Sequence, residues 1–223
     1  MRYWFYYAVR SFLRLFFRLG FGLEVTGQEH VPARGPCIVS ANHLSYLDPP
    51  LMGAACPRRL SFMARANLFH DGLLGAFMRG VHVIPLQRGE GDLAAIREAV
   101  ARLHRGDAVA IFPEGGRQFS GQLGTAKRGV GLLAEAAEAP IIPALIQGTF
   151  EAFPPGARRL RRAKIRVAFG APIPYTKPPC SPTSPPEDRE AVRRDEPSAS
   201  RTRHQALADA VTAAWQHLAA ANP

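Results

Sequence analysis

The segment Asn42-His43-Leu44-Ser45-Tyr46-Leu47-Asp48 places a histidine five residues before an aspartate. On a continuous helix that spacing would leave the two side chains about 140° apart. On a strand they would point to opposite faces, because the spacing is odd. They meet only if the chain turns between them, and the flanking sequence supplies that turn. Pro36–Ala41 is an apolar run that reads as a buried strand, and Asp48-Pro49-Pro50 reads as a helix start, with Asp48 as N-cap and proline in the first turn. An aspartate touching the imidazole fixes its tautomer and steadies the imidazolium, which leaves the other ring nitrogen free to act as a general base. No serine or cysteine nucleophile is needed if that base works on a substrate hydroxyl directly. Taken alone, the pair fits a hydrogen-bonded surface histidine as well.

Two further pieces carry chemistry. Ile111-Phe112-Pro113-Glu114-Gly115-Gly116-Arg117 ends a predicted strand with two glycines, which permit close approach of a ligand, and with an arginine able to hold a phosphate. Such a turn is also common in ordinary α/β loops. Arg88 closes the run Ile84-Pro85-Leu86-Gln87-Arg88, where an arginine is either solvated or a phosphate contact.

The elements that must position these residues alternate. Strands are expected at Pro36–Ala41, Leu60–Ala64, Val81–Leu86, Ala108–Phe112, Ile141–Ile146 and Ile165–Phe169. Helices are expected at Leu68–Arg79, Asp92–His104 and Arg128–Ala137. Leu93, Ile96, Val100 and Leu103 line one helical face, and Gly106 stands where a helix-ending glycine belongs. The reading is an α/β fold: a single domain with a mixed, partly parallel sheet flanked by helices. Residues 23–171 form this domain. Proline and serine dominate 172–200, which reads as an extended linker. Residues 201–223 form a terminal helix with Leu207, Val211, Trp215 and Leu218 on one side.

Residues 1–22 are an N-terminal amphipathic helix. Arg10, Arg14 and Arg18 lie along one stripe, and aromatics and leucines fill the rest. Its longest uncharged stretch, Tyr3–Val9, falls far short of the roughly 20 apolar residues a spanning helix needs. No small-residue cleavage site follows it, so a secretory signal is not expected. An interfacial anchor fits, with rings at headgroup depth and guanidiniums on lipid phosphates; a helix packed on the protein's own core is the alternative.

The net charge of +10 resides in two places. One is Arg2, Arg10, Arg14 and Arg18; the other is Arg158, Arg159, Arg161, Arg162, Lys164 and Arg166. Basic patches on a neutral body point to a polyanionic surface. A nucleic acid would call for stacking aromatics among the cations or a readable helix motif, and the sequence has neither. Cys37, Cys56 and Cys180 are odd in number and form no CxxC pair, which argues for reduced thiols and no metal site. A serine hydrolase would need a Gly-x-Ser-x-Gly elbow, and none is present.

Asn-His-x-x-x-x-Asp, a strand-terminal arginine, Phe-Pro-Glu-Gly and Pro140-Ile141-Ile142-Pro143 follow one another in that order. From about Val25 to Gly170 the chain resembles the glycerolipid acyltransferase family typified by 1-acylglycerol-3-phosphate acyltransferases. The resemblance implies His43 as general base and Asp48 as its partner. It implies Arg88 as a phosphate contact, Glu114 and Gly115 as acceptor-binding, and Arg117 and Lys127 as further basic contacts. It implies no cofactor and no metal, with acyl-CoA or acyl carrier protein as co-substrate. The acceptor would be lysophosphatidic acid or a related lipid, met at the cytoplasmic face of a membrane carrying anionic lipids. Gly116 and Gln118 stand where Thr and Ser are common, and Ala64-Arg65-Ala66-Asn67-Leu68 departs from a Lys-x-Glu-Leu pattern. Those departures leave the acceptor open among lysophosphatidic acid, another lysophospholipid, glycerol-3-phosphate and an acylated amino-acid lipid. A non-catalytic lipid-binding protein is the rival from another class.

Overall fold

A computed structural model of the chain describes residues 4–65, 81, 83–86, 92–177 and 188–222. Among the described residues seven strands form one sheet: β1 (Glu24–Thr26), β2 (Cys37–Ala41), β3 (Leu60–Arg65), β4 (Ile84–Leu86), β5 (Ala108–Ile111), β6 (Ile141–Gln147) and β7 (Arg166–Phe169). Their order is β1-β7-β6-β2-β5-β3-β4. Every neighbouring pair is parallel except β6 with β7. The sheet is therefore mixed and largely parallel, as expected. The sequence reading did not anticipate β1, a three-residue edge strand too short to show periodicity.

Among the described residues six α-helices accompany the sheet: α1 (Trp4–Phe21), α2 (Asp48–Ala55), α3 (Asp92–His104), α4 (Gly129–Ala137), α5 (Thr149–Ala152) and α6 (Asp188–Ala221). Strand residues alternate between two cores. Cys37, Val39, Ala41, Ala110, Ile142 and Ala144 face α1 and α2. Ile38, Val109, Ile141 and Leu145 face α3, α4 and α6. Alternation of this kind is what a sheet covered on both faces requires.

One sequence expectation is untested and two boundaries move. The expected Leu68–Arg79 helix lies outside the described residues. The Val81–Leu86 strand is seen as Ile84–Leu86. The terminal helix begins at Asp188 rather than 201. Asp188–Glu196 contains no Pro, Gly or Ser and is rich in helix formers, a run hidden when 172–200 is read by its average composition. The first part of that segment is also tied down, because Ile173 and Ile141 exchange backbone bonds of 2.7 and 2.9 Å.

Helix α6 docks through Ala208, Val211 and Trp215, all fully buried. Gly131 of α4 lets it approach: a Cβ there would sit 2.4 Å from the His204 carbonyl oxygen. Glu135 of α4 then collects donors. Arg203 reaches it at 2.8 Å and Ser200 at 2.9 Å, and His204 also bonds it. Burial raises the Glu135 carboxyl, but Arg203, Ser200 and His204 outweigh it and bring it down to about 2. A folded value below the ordinary 4.5 stabilises the fold above that pH, and the contribution is lost as pH falls from 4.5 toward about 2. Glu135→Gln should therefore cost about 1–2 kcal/mol at neutral pH, allowing for screening of a partly exposed group. Thermal melts of both proteins at pH 7 and pH 3 check this, with the gap expected to shrink at pH 3.

Helix α1 packs on the protein's own core along one side. Phe17 and Phe21 are buried in the first core, and Tyr6 is buried with its hydroxyl accepting the Leu60 amide at 3.0 Å. The opposite side leaves Trp4, Tyr7, Phe12, Leu15, Phe16 and Leu19 in the open, with Leu19 76% exposed. Among the described residues no helix is long and apolar enough to cross a membrane.

Candidate active site

Strands β2 and β5 are parallel neighbours, so their carboxyl ends open on the same edge of the sheet. Connections leave β2 toward β3 on one side, and β5 returns to β6 on the other. A crevice outside strand carboxyl ends at such a reversal is where open α/β sheets bind ligands. His43 follows β2 there, and Glu114 follows β5.

The turn inferred between His43 and Asp48 is present. His43 Nδ1 lies 2.8 Å from Asp48 Oδ2. The same oxygen accepts the backbone amides of Leu44 and Ser45, each at 2.7 Å. The expected N-cap role is corrected, since Leu47 is the cap residue and Asp48 is the first residue of α2. The physical reason is local. Pro50 has no N–H to offer a capping carboxylate and the Leu51 amide bonds the Leu47 carbonyl at 3.0 Å, so Asp48 turns back and organises the loop that carries His43. Asp48 is fully buried, while the His43 side chain keeps 17% exposure. Nδ1 must donate to the carboxylate, which leaves Nε2 as the basic nitrogen. Nε2 has no partner among the described residues.

Neighbours fix the ring. Phe112 stacks on it with centroids 4.3 Å apart and planes 26° apart. Asn42 completes the β6 ladder where the backbone leaves it, accepting from the Ile146 amide at 2.7 Å and donating to its carbonyl at 3.0 Å. Ser45 Oγ donates to the Phe153 carbonyl at 2.7 Å.

The Phe-Pro-Glu-Gly turn meets this loop directly. The His43 amide donates to Glu114 Oε1 at 3.2 Å, and the Gln118 amide donates to the His43 carbonyl at 2.9 Å. Glu114 is 3% exposed; burial pushes its carboxyl up, partly offset by Gln118 and the His43 amide. Gly115 takes a left-handed φ of +78°, and a Cβ there would lie 2.9 Å from Lys127 Nζ. Lys127 thus lies against the turn, with its amide on the Pro113 carbonyl at 3.0 Å. Arg117 donates to the Tyr46 hydroxyl at 2.8 Å and sits 3.5 Å over its ring.

The structure therefore brings His43, Asp48, Glu114, Gly115, Arg117 and Lys127 together. Arg88 and the Ala66–Leu68 part of the departing segment lie outside the described residues. Tyr46 and Phe112 escaped sequence reasoning. Tyr46 sits inside the His-x-x-x-x-Asp spacing, and only the fold shows that Arg117 reaches it. Cys37 and Cys56 are buried, and burial pushes the Cys56 thiol up to about 12, far from a working nucleophile.

A family model described as Acyltransferase matches residues 22–147, more than half of the chain. The chain belongs to the glycerolipid acyltransferase family. The Bacillus subtilis 1-acyl-sn-glycerol-3-phosphate acyltransferase is 26% identical over 162 residues, covering 72% of this acyltransferase and 78% of that protein. Human 1-acyl-sn-glycerol-3-phosphate acyltransferase alpha is 31% identical over 166 residues, covering 73% of this chain and 58% of its own length. A lyso-ornithine lipid O-acyltransferase of Pseudomonas aeruginosa is 37% identical over 103 residues, or 46% of this chain and 38% of that one. The crystal structure of the 1-acyl-sn-glycerophosphate acyltransferase PlsC from Thermotoga maritima shares the fold, with a TM-score of 0.68 at 24% identity over 91% of this chain and 80% of that one.

Proposed function

We propose that this acyltransferase moves a fatty acyl group from acyl-CoA or acyl carrier protein to the free hydroxyl of 1-acylglycerol-3-phosphate. The observation that carries the reading is the His43–Asp48 pair, with Nε2 left open beside a turn that gathers Glu114, Arg117 and Lys127. His43 Nε2 removes the hydroxyl proton as that oxygen attacks the thioester carbonyl. The tetrahedral centre then expels the thiolate, which takes up a proton, and no acyl-enzyme forms. Asp48 holds the imidazolium meanwhile. Arg117 and Lys127, with Arg88, orient the acceptor phosphate.

The apolar outer side of α1 supports a peripheral position on a membrane surface. Tyr46, Phe119 and Leu160 are also exposed, Phe119 at 75%. Arg158, Arg159, Arg161 and Arg162 stand in solvent around Leu160, whereas Lys164 and Arg166 are paired with Glu24. Exposed apolar side chains together with exposed guanidiniums suit an anionic interface.

A second acceptor class has an observation of its own, the Pseudomonas relative named for lyso-ornithine lipid. Initial rates of thiol release from palmitoyl-CoA separate the two, using lysophosphatidic acid, lysophosphatidylcholine, glycerol-3-phosphate and lyso-ornithine lipid as acceptors. Lysophosphatidic acid should give the highest kcat/KM. A higher value with lyso-ornithine lipid would replace the acceptor and keep the chemistry. Acceptor-independent binding without turnover would leave a lipid-binding protein.

The Arg117–Tyr46 pair makes a smaller prediction. Tyr46→Leu keeps an apolar contact for Phe153 and removes both the hydroxyl and the ring face. It should raise the acceptor KM about two- to fivefold, the worth of an exposed cation–π contact, with the donor KM unchanged. Steady-state kinetics with each substrate varied in turn checks this.

A further inference from the structure

Helix α6 lies beyond the span that defines the family, yet it touches the backbone of two segments that carry the site. Trp215, fully buried, donates from Nε1 to the Ser40 carbonyl at 3.1 Å, three residues before His43. One turn earlier, Thr212 Oγ1 accepts the Ala126 amide at 3.0 Å and donates to the Ala208 carbonyl at 3.1 Å. Ala126 is 4% exposed and immediately precedes Lys127.

The Thr212 bond is the more consequential for chemistry. Residues 120–128 form no helix or strand, and on its own side Lys127 is joined to α4 by its carbonyl, which accepts the Val130 amide at 3.3 Å. Besides that bond, two hydrogen bonds tie its backbone to other parts of the fold. Its own amide goes to Pro113 in the acceptor turn, and the preceding amide goes to Thr212. The first ties Lys127 to Glu114 and Gly115; the second sets how far it stands from the sheet. A buried amide that loses its acceptor must move until it finds another, and Lys127 would move with it.

We propose that Thr212 is a positioning residue for acceptor recognition: its hydroxyl sets the place of Lys127 over the Gly115 turn, and hence the grip on the acceptor's phosphate. This rests on the proposed role of Lys127 at that phosphate.

The test compares Thr212→Val, nearly isosteric but without an acceptor, with Thr212→Ser, which keeps the hydroxyl. Each is assayed with palmitoyl-CoA against lysophosphatidic acid and against monoacylglycerol, which offers a hydroxyl without the phosphate. Thr212→Val should raise the lysophosphatidic acid KM roughly five- to tenfold, as expected for a displaced charge contact. The donor KM and the monoacylglycerol rate should stay at wild-type values, and Thr212→Ser should restore the KM. In a Lys127→Gln background the valine substitution should have no further effect.

Equal losses with both acceptors would overturn the proposal, as would an unchanged KM or full additivity with Lys127→Gln. If the valine variant does not fold, Thr212→Cys takes its place. Its sulfur is a weak acceptor, so a KM shift of the same sign is expected and an unshifted one overturns the claim. A wild-type protein inactive with lysophosphatidic acid is a different signature, which removes the proposed function and this inference with it.

Discussion

His43→Ala should lower kcat by about 10²–10⁴-fold, the usual worth of a general base, and leave the fold intact. The structural grounds for an intact fold are specific. The imidazole is one of three donors to Asp48 Oδ2; the amides of Leu44 and Ser45 remain when it is removed. His43 also contributes through its main chain, to Glu114 and from Gln118, and alanine keeps both bonds. The KM values of donor and acceptor should change little, because nothing assigned to either substrate is deleted. Loss of kcat at constant KM is the mark of an interaction made only in the transition state. Kinetics alongside a thermal melt checks both halves.

Asp48→Asn should cost a similar factor in kcat and, unlike His43→Ala, also cost stability. The amide oxygen of asparagine can keep the Leu44 and Ser45 bonds, so the loop retains its turn. His43 then loses its anionic partner. Its tautomer is no longer fixed, and the imidazolium formed during transfer is no longer stabilised, a deficit of about 10²–10⁴-fold. The added stability cost comes from the site's burial. Asp48 is fully buried and its Oδ1 has no partner among the described residues, so an amide NH2 placed there lacks an acceptor. A buried donor left unmatched costs about 1–3 kcal/mol. A lower melting temperature for Asp48→Asn but not for His43→Ala is the expected contrast. Equal melting temperatures would show that the carboxylate acts on the histidine alone.

These expectations depend on a site whose main axis is legible in the sequence. A five-residue spacing between His43 and Asp48 is useless on a helix or a strand, so strand, turn and helix had to follow in that order. The Glu114 turn was legible for a similar reason, since glycines after a buried strand mark a backbone that something approaches closely. The N-cap error shows the limit of local rules: Asp-Pro-Pro looks like a cap, but Pro50 lacks an amide and the Leu51 amide goes to the Leu47 carbonyl instead. Strand β1 has three residues and no period to detect. The start of α6 was masked by prolines on both sides of Asp188–Glu196. What the sequence could not show at all was long-range. Trp215 meets Ser40 across 175 residues and Thr212 meets Ala126 across 86, and such contacts leave no mark on spacing or composition. The Tyr46–Arg117 pair, 71 residues apart, is of the same kind.

The surface of α1 illustrates a different limit. Its aromatics fit a core and an interface equally well by composition, and in the fold some are buried while others are exposed. Phe17 and Phe21 pack inward, while Phe12 and Leu19 face out. Position around one helix axis decides which ring does which, and that assignment needs the partner elements in place.

Thiol release from palmitoyl-CoA, followed from the first turnover with and without lysophosphatidic acid, tests direct His43-dependent transfer most directly. The account predicts no thiol burst in the absence of acceptor. With acceptor it predicts release matched one-to-one by phosphatidic acid, and neither product above background for His43→Ala. A stoichiometric burst without acceptor, or full turnover by His43→Ala, would contradict it.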